Sequence, residues 1–190
     1  ELLDDLVALT TEKNLSGIEA LSAIPGTVGA APVQNVGAYG QEIVQVLDSV
    51  LAYDLKEEKY VTIKAEDMKL GYRSSIFNHG EDAGRYLIIS MTIHLSHDTL
   101  TPPFYTSLQN YVEEHQITDF SPKSIREMVT EIRWSKLPKP EEMASSGSFF
   151  KNVYLDDTEA DRLRGMNVPV WEGNKVPSGW LIDHAGLKGM

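Results

Sequence analysis

The chain has 190 residues, with 28 Asp and Glu against 17 Lys and Arg, 42% hydrophobic residues and no cysteine. This is the composition of an ordinary globular protein, long enough to bury a core as one domain or two small ones. The formal charge of −11 disfavours nucleic acid and anionic membrane surfaces as partners, because both require a surplus of Lys and Arg. The lack of cysteine excludes disulfides, Fe–S clusters, thiolate zinc sites and a cysteine nucleophile. The longest strongly apolar stretch, Tyr86 to Leu95, is interrupted by Ser90, Thr92 and His94, too soon for a bilayer span. A cytoplasmic location fits these facts. The sequence opens at Glu1 inside an amphipathic pattern, which reads as part of a longer protein.

From Leu2 to Lys13 the spacing of Leu2, Leu3, Leu6, Val7 and Leu9 predicts a surface helix. Ile24 to Gly40, rich in Gly, Pro and small residues and almost without charge, reads as a loop whose backbone approaches something closely. Ile43 to Tyr53 and Tyr60 to Lys64 read as an antiparallel hairpin around the polar turn Leu55 to Lys59, and Tyr86 to Leu95 as a further strand of that sheet. Ser107 to His115 and Ser121 to Trp134 carry helical spacing, the second with a Ser-Pro start. Pro138 and Pro140 then mark a linker over Leu137 to Ser146. A short strand at Phe149 to Tyr154, a helix from Asp156 or Asp157 and a last helix over Ser178 to Leu187 complete the series.

The Gly26-Thr27-Val28-Gly29 and Gly37-Ala38-Tyr39-Gly40 elements match neither the dinucleotide fingerprint nor the P-loop. They are either tight turns or a seat for a neutral ring or a phosphate bound through backbone N–H groups. In Gly71 to Phe77, Arg73 beside Tyr72 is a surface arginine or the bidentate partner of a planar anion. Between Ile132 and Asn152 an acidic chain gathers Arg133, Lys136, Lys139 and Lys151 against Glu141 and Glu142, a local excess of two positive charges. That island is a solvated face or a dock for a diphosphate or carboxylate. Ser148, next to it, is a turn residue or a weak acid; in the second case it protonates only a strongly basic carbanion, with Lys151 and Asn152 stabilising the alkoxide left behind. The five histidines show no metal-ligand pairing, so no metal site is expected.

The stretches Ile24–Gly40, Gly71–Phe77, Lys136-Leu137-Pro138, Gly147–Asn152, Gly179–Asp183 and Gly186–Gly189, taken in order, resemble the UDP-N-acetylenolpyruvoylglucosamine reductase (MurB) family, flavoenzymes of bacterial peptidoglycan synthesis. The resemblance implies an α+β fold. Residues 1–137 would be the second lobe of a two-lobed FAD-binding module of the PCMH type, and residues 138–190 the first part of an α+β substrate-binding domain.

It further implies an NADPH-dependent, FAD-mediated reduction of UDP-N-acetylglucosamine enolpyruvate to UDP-N-acetylmuramate, in the cytoplasm, by a monomer. Gly26, Gly29, Ala30, Ala31, Val33, Asn35, Gly37, Tyr39 and Arg133 would line the FAD. Arg73 would hold the enolpyruvyl carboxylate and Ser148 would donate the proton. Tyr72, Tyr105, Lys136, Lys151 and Asn152 would contact the sugar nucleotide. The pattern departs from the family at Ala30 and Ala31, where serines are common, at Thr106, where glycine is common, and at Val153, which stands for a proline. The family's flavin-diphosphate loop and catalytic glutamate have no counterpart in these 190 residues, so the chain alone is expected to bind FAD poorly and not to turn over. Another oxidoreductase of the same FAD-binding superfamily and a noncatalytic sugar-nucleotide-binding module are the alternatives.

Overall fold

The structure, a computed structural model, describes residues 1–139, 142–143 and 149–189. The chain divides into two compact units, Glu1–Met143 and Ala144–Met190.

The first unit opens with helix α1 (Leu3–Glu12), which buries Leu3, Val7, Thr10 and Thr11 on one face. Asp4 and Asp5 lie in its first turn, where negative charge suits the helix dipole. The buried hydroxyls of Thr10 and Thr11 donate to the carbonyls of Val7 and Ala8, so the threonines bury without an orphaned donor. Strand β1 (Gly37–Ala38) pairs with β2 (Gln41–Glu42) in a two-residue ribbon. The expected strand over Ile43–Tyr53 is shorter at its start. Ile43–Gln45 forms a 3-10 turn closed by a capping box between Glu42 and Gln45, and β3 begins only at Leu47.

Strand β3 (Leu47–Asp54) is the centre of an antiparallel sheet, with β4 (Lys59–Lys64) on one side and β5 (Tyr86–Ile93) on the other. Val50 and Ala52 of β3 are buried against a cluster that includes Met68 and Phe77. At the hairpin, the Asp54 carboxylate accepts from the amides of Lys56 and Glu57 and from Arg85, ahead of β5. That set of donors holds its carboxyl well below the usual range.

Helix α2 (Thr106–Glu114) and helix α3 (Pro122–Trp134) pack together through Leu108, Val112, Ile125, Met128, Val129 and Ile132. Ser121 caps α3 by accepting from the Ser124 amide at 3.3 Å, with Pro122 in the first turn, as its sequence predicts.

The second unit holds β6 (Val153–Tyr154), helix α4 (Asp157–Gly165) capped by Asp156, β7 (Lys175–Val176) and helix α5 (Ser178–His184). The strand expected from Phe149 shortens to its last two residues, which pair with β7, an element the sequence did not announce. Helix α5 ends before the expected Leu187, because the chain turns through Gly186 at φ +70°. Among the described residues no helix is long and apolar enough to cross a membrane.

Candidate functional site

The loop at residues 24–40 is fixed at its entrance from both sides of one residue. Ala23, at φ +56°, donates its amide to Asp4 of α1 at 2.6 Å and accepts from the Nε of Arg133 of α3 at 3.2 Å. Asp4 is in turn gripped by both terminal nitrogens of Arg126, at 2.5 and 2.9 Å. That bidentate bond holds the Asp4 carboxyl below its ordinary value and raises Arg126.

Beyond this anchor the Gly26 carbonyl accepts from the Leu3 amide at 3.0 Å and the Val28 amide donates to the Glu1 carbonyl at 3.1 Å. Gly26 has φ +132°, and a side chain there would meet no atom within 4 Å. Gly29 rests on the sheet, where a Cβ would lie 3.5 Å from the carbonyl of Ile88. Ala30 is exposed, Ala31 is buried, and the Val33 carbonyl is held at 2.6 Å by the Ser75 hydroxyl.

Asn35 is buried, and its side-chain amide is committed internally. Nδ2 donates to Glu42 Oε2 at 2.8 Å and to the Gly71 carbonyl at 3.1 Å, while Oδ1 accepts from the Val44 amide at 3.1 Å. Its side chain is thus a structural tie of the loop. The Gly71 carbonyl opens the tight turn that carries Tyr72 and Arg73, closed by reciprocal backbone bonds between Gly71 and Ser74 at 2.9 and 3.1 Å. From this turn the Arg73 guanidinium reaches back to the loop, donating to the carbonyls of Gly37 at 2.6 Å and Asn35 at 3.3 Å. Its carbon stands 5.3 Å from the centre of the Tyr72 ring. A Cβ on Gly37 would lie in ordinary contact with Arg73 Nη1 at 3.4 Å but only 2.7 Å from Glu42 Cγ, so glycine is what lets the glutamate close over the loop.

Tyr39, at φ +49°, sits edge-on to Tyr105 with ring centroids 6.0 Å apart. Burial pushes its hydroxyl above the ordinary tyrosine value, against the opposing pull of the Arg133 guanidinium beside it. Tyr105 itself precedes α2 and is 47% exposed. Arg133 thus turns into the first unit, towards Ala23 and Tyr39, whereas Lys136, past the end of α3, is exposed. The positive island of the sequence is therefore split by direction: one of its cations braces the loop.

Gly26, Gly29, Ala30, Ala31, Val33, Asn35, Gly37, Tyr39, Arg133, Tyr72, Arg73, Tyr105 and Lys136 all lie in the first unit. Lys151 and Asn152 lie in the second. There the Asn152 side chain accepts from the Ser178 amide at 3.1 Å, and the Lys151 carbonyl accepts from the Ser178 hydroxyl, so this dipeptide ties the start of α5. Ser148 lies outside the described residues. Sequence reasoning missed Asp4, Arg126, Glu42 and Ser75. Asp4 and Arg126 are 122 residues apart, with no local pattern to link them. Glu42 follows the loop directly, and a lone carboxylate after an uncharged stretch was the one available signal.

No family model matches the chain. It is 37% identical over 195 residues to the UDP-N-acetylenolpyruvoylglucosamine reductase of Pseudomonas aeruginosa, covering 100% of this chain and 57% of that protein. The chain is a relative of the UDP-N-acetylenolpyruvoylglucosamine reductases. The Neisseria gonorrhoeae reductase is 40% identical over 196 residues, with 100% and 56% covered, and that of Alcanivorax borkumensis 38% identical over 191 residues, with 98% and 55% covered. The chain thus spans little more than half the length of these reductases. In structure it is similar to the Thermus caldophilus reductase, at a TM-score of 0.55 and 21% identity, over 92% of this chain and 58% of that one. That likeness concerns the fold, mixed helix and sheet as expected. Among the described residues no group of three His, Asp or Glu side chains could hold a metal ion.

Proposed function

We propose that this chain carries the flavin loop and the substrate arginine of a UDP-N-acetylenolpyruvoylglucosamine reductase, which converts UDP-N-acetylglucosamine enolpyruvate to UDP-N-acetylmuramate in peptidoglycan synthesis. The observation that carries the reading is the joining of Arg73 to the loop at 24–40, through the Gly37 and Asn35 carbonyls, in a chain whose whole length matches these enzymes. On this reading the protein works as a cytoplasmic monomer. Residues 1–137 belong to a two-lobed FAD-binding module of the PCMH type, and residues 138–190 to the first part of a substrate-binding domain.

The loop suits FAD. A side chain at Gly26 would enter open space, the loop carries no side-chain charge between Ile24 and Gly40, and its far end is walled by the Tyr39–Tyr105 pair. Gly26, Gly29, Ala30, Ala31, Val33, Asn35 and Gly37 would hold the cofactor through backbone, with Tyr39 and Arg133 at its edge. When bound, the flavin supplies the hydride, taken from NADPH, that adds to the β-carbon of the enol ether.

The chain's own residues manage the charge that this addition creates. Arg73 receives the substrate carboxylate and spreads the negative charge that develops α to it, a stabilisation strongest in the transition state. Ser148 delivers a proton to the α-carbon, with Lys151 and Asn152 as the candidates to stabilise the alkoxide left behind. Tyr72, Tyr105 and Lys136 hold the sugar nucleotide, Lys136 through its diphosphate. The 190 residues by themselves hold FAD weakly and do not turn over.

The test is purification of the reductase that contains these residues. A yellow protein whose NADPH oxidation depends on the enolpyruvyl substrate is expected. A colourless protein that binds UDP-sugar without flavin would instead support a noncatalytic sugar-nucleotide module, and activity only on other hydroxy-acid or alcohol substrates would support a different oxidoreductase.

A further inference from the structure

The carboxylate of Glu42 makes two kinds of bond. It accepts from the Gln45 amide, closing the capping box of the Ile43–Gln45 turn, and it accepts from Asn35 Nδ2 at 2.8 Å. A cap needs only the first. The second leads through Asn35 to the Gly71 carbonyl at 3.1 Å, then along the turn to Arg73, whose guanidinium returns to the carbonyls of Asn35 and Gly37. Gly37 is paired across the β1–β2 ribbon with Glu42, which closes the ring.

Two residues in this ring, Asn35 at φ +45° and Arg73 at φ +54°, hold left-handed backbone that a free loop would leave. A second tie acts on the same turn: Asn78 Nδ2 donates to the Arg73 carbonyl at 3.3 Å. It does not reach the guanidinium. The Ser75 hydroxyl ties the far side of the turn to the Val33 carbonyl of the loop at 2.6 Å, while the amide of Asn35 ties its start at Gly71, and the carboxylate of Glu42 is what orients that amide.

We infer that Glu42 is a positioning residue for Arg73: acting through Asn35, it fixes the turn from which the guanidinium meets the loop. The catalytic meaning rests on the reading of Arg73 as the carboxylate-binding arginine, but the mechanical part stands without it.

Amide hydrogen exchange on the 190-residue chain, resolved at Gly71 and Ser74 with the β3–β4 hairpin as internal reference, tests it. Glu42→Ala is expected to speed exchange at Gly71 and Ser74 on the order of tenfold or more, the effect of losing a bond to a charged acceptor, with the hairpin unchanged. Gln45→Ala removes the other half of the capping box and leaves Asn35 alone, so it is expected to leave both amides as they are. Glu42→Gln keeps one acceptor oxygen and should fall between the two, and it carries the test if the alanine variant does not fold. Unchanged exchange at Gly71 and Ser74 in both Glu42 variants, an equal rise across the hairpin, or the same rise in Gln45→Ala would each overturn the inference. Measuring the enolpyruvyl substrate's KM in the same reductase variants separates the two layers. If exchange responds while KM and kcat do not, the clamp stands and the role of Arg73 falls.

Discussion

Replacing Gly37 by alanine adds one carbon where the loop, the Glu42 stem and the Arg73 guanidinium converge. The new Cβ would lie 2.7 Å from Glu42 Cγ and 3.0 Å from the Gln41 carbonyl oxygen. The first contact is about 0.7 Å short of ordinary van der Waals separation, which begins at 3.4 Å. Neither neighbour yields freely: Glu42 Cγ is held by its carboxylate bonds to Asn35 and Gln45, and the Gln41 oxygen belongs to the backbone of β2. Gly37 is not in left-handed backbone, so the cost is steric rather than conformational. Overpacking of this kind costs roughly 1–3 kcal/mol, and at about 2–4 °C per kcal/mol for a chain of this size the transition should fall by several degrees. Circular dichroism melts of the wild-type chain and Gly37→Ala measure the shift, and exchange at Gly71 and Ser74 should rise with it because Glu42, which orients the Asn35 amide, must move. A variant that melts with the wild type and keeps slow exchange at the turn would refute the reasoning.

Arg73→Lys replaces a guanidinium that spans two carbonyls with one ammonium, which cannot keep both bonds and meet a carboxylate. Substrate turnover in the reductase should fall roughly 10- to 100-fold, and unchanged kcat/KM would count against the assignment. Ser148→Ala should leave NADPH-dependent flavin reduction nearly intact and severely slow reoxidation by substrate; equal losses in both half-reactions would point to folding instead. The Asp4–Arg126 pair predicts a pH dependence. Because the folded-state pKa of Asp4 lies below its ordinary 3.8, the pair's stabilisation is full above that value and is lost as pH falls through the folded value. Arg126→Ala should therefore lower stability at neutral pH, with the gap to wild type closing in acid. A gap that persists at low pH would assign the loss to packing.

The fold was legible where local rules act alone. The spacing in α1 and α3, the Ser121-Pro122 start and the hairpin of β3 and β4 follow from periodicity, capping and turn chemistry. Ile43–Gln45 misled because its apolar residues suit a strand, while the capping box that bends it depends on two polar side chains meeting in space. The β6–β7 pair was half hidden because two-residue strands carry no periodicity. At the site, the uncharged glycine-rich run and the Tyr72-Arg73 pair were visible as chemistry. What joins them was not, since Asn35 to Gly71 and Arg73 to Gly37 are each 36 residues apart and depend on the tertiary fold. Arg133 shows the same dependence on the tertiary fold. The sequence shows it as one cation of a positive island, and only the structure adds its bond to Ala23 and its place beside Tyr39.

The most direct test of the account follows the flavin colour of the reductase containing these residues through two anaerobic steps, reduction by NADPH and reoxidation by UDP-N-acetylglucosamine enolpyruvate, in the wild type and in Arg73→Ala. The account predicts that both proteins bleach with NADPH at similar rates and that only the wild type recovers its colour quickly with substrate. Recovery at the wild-type rate in Arg73→Ala would contradict it.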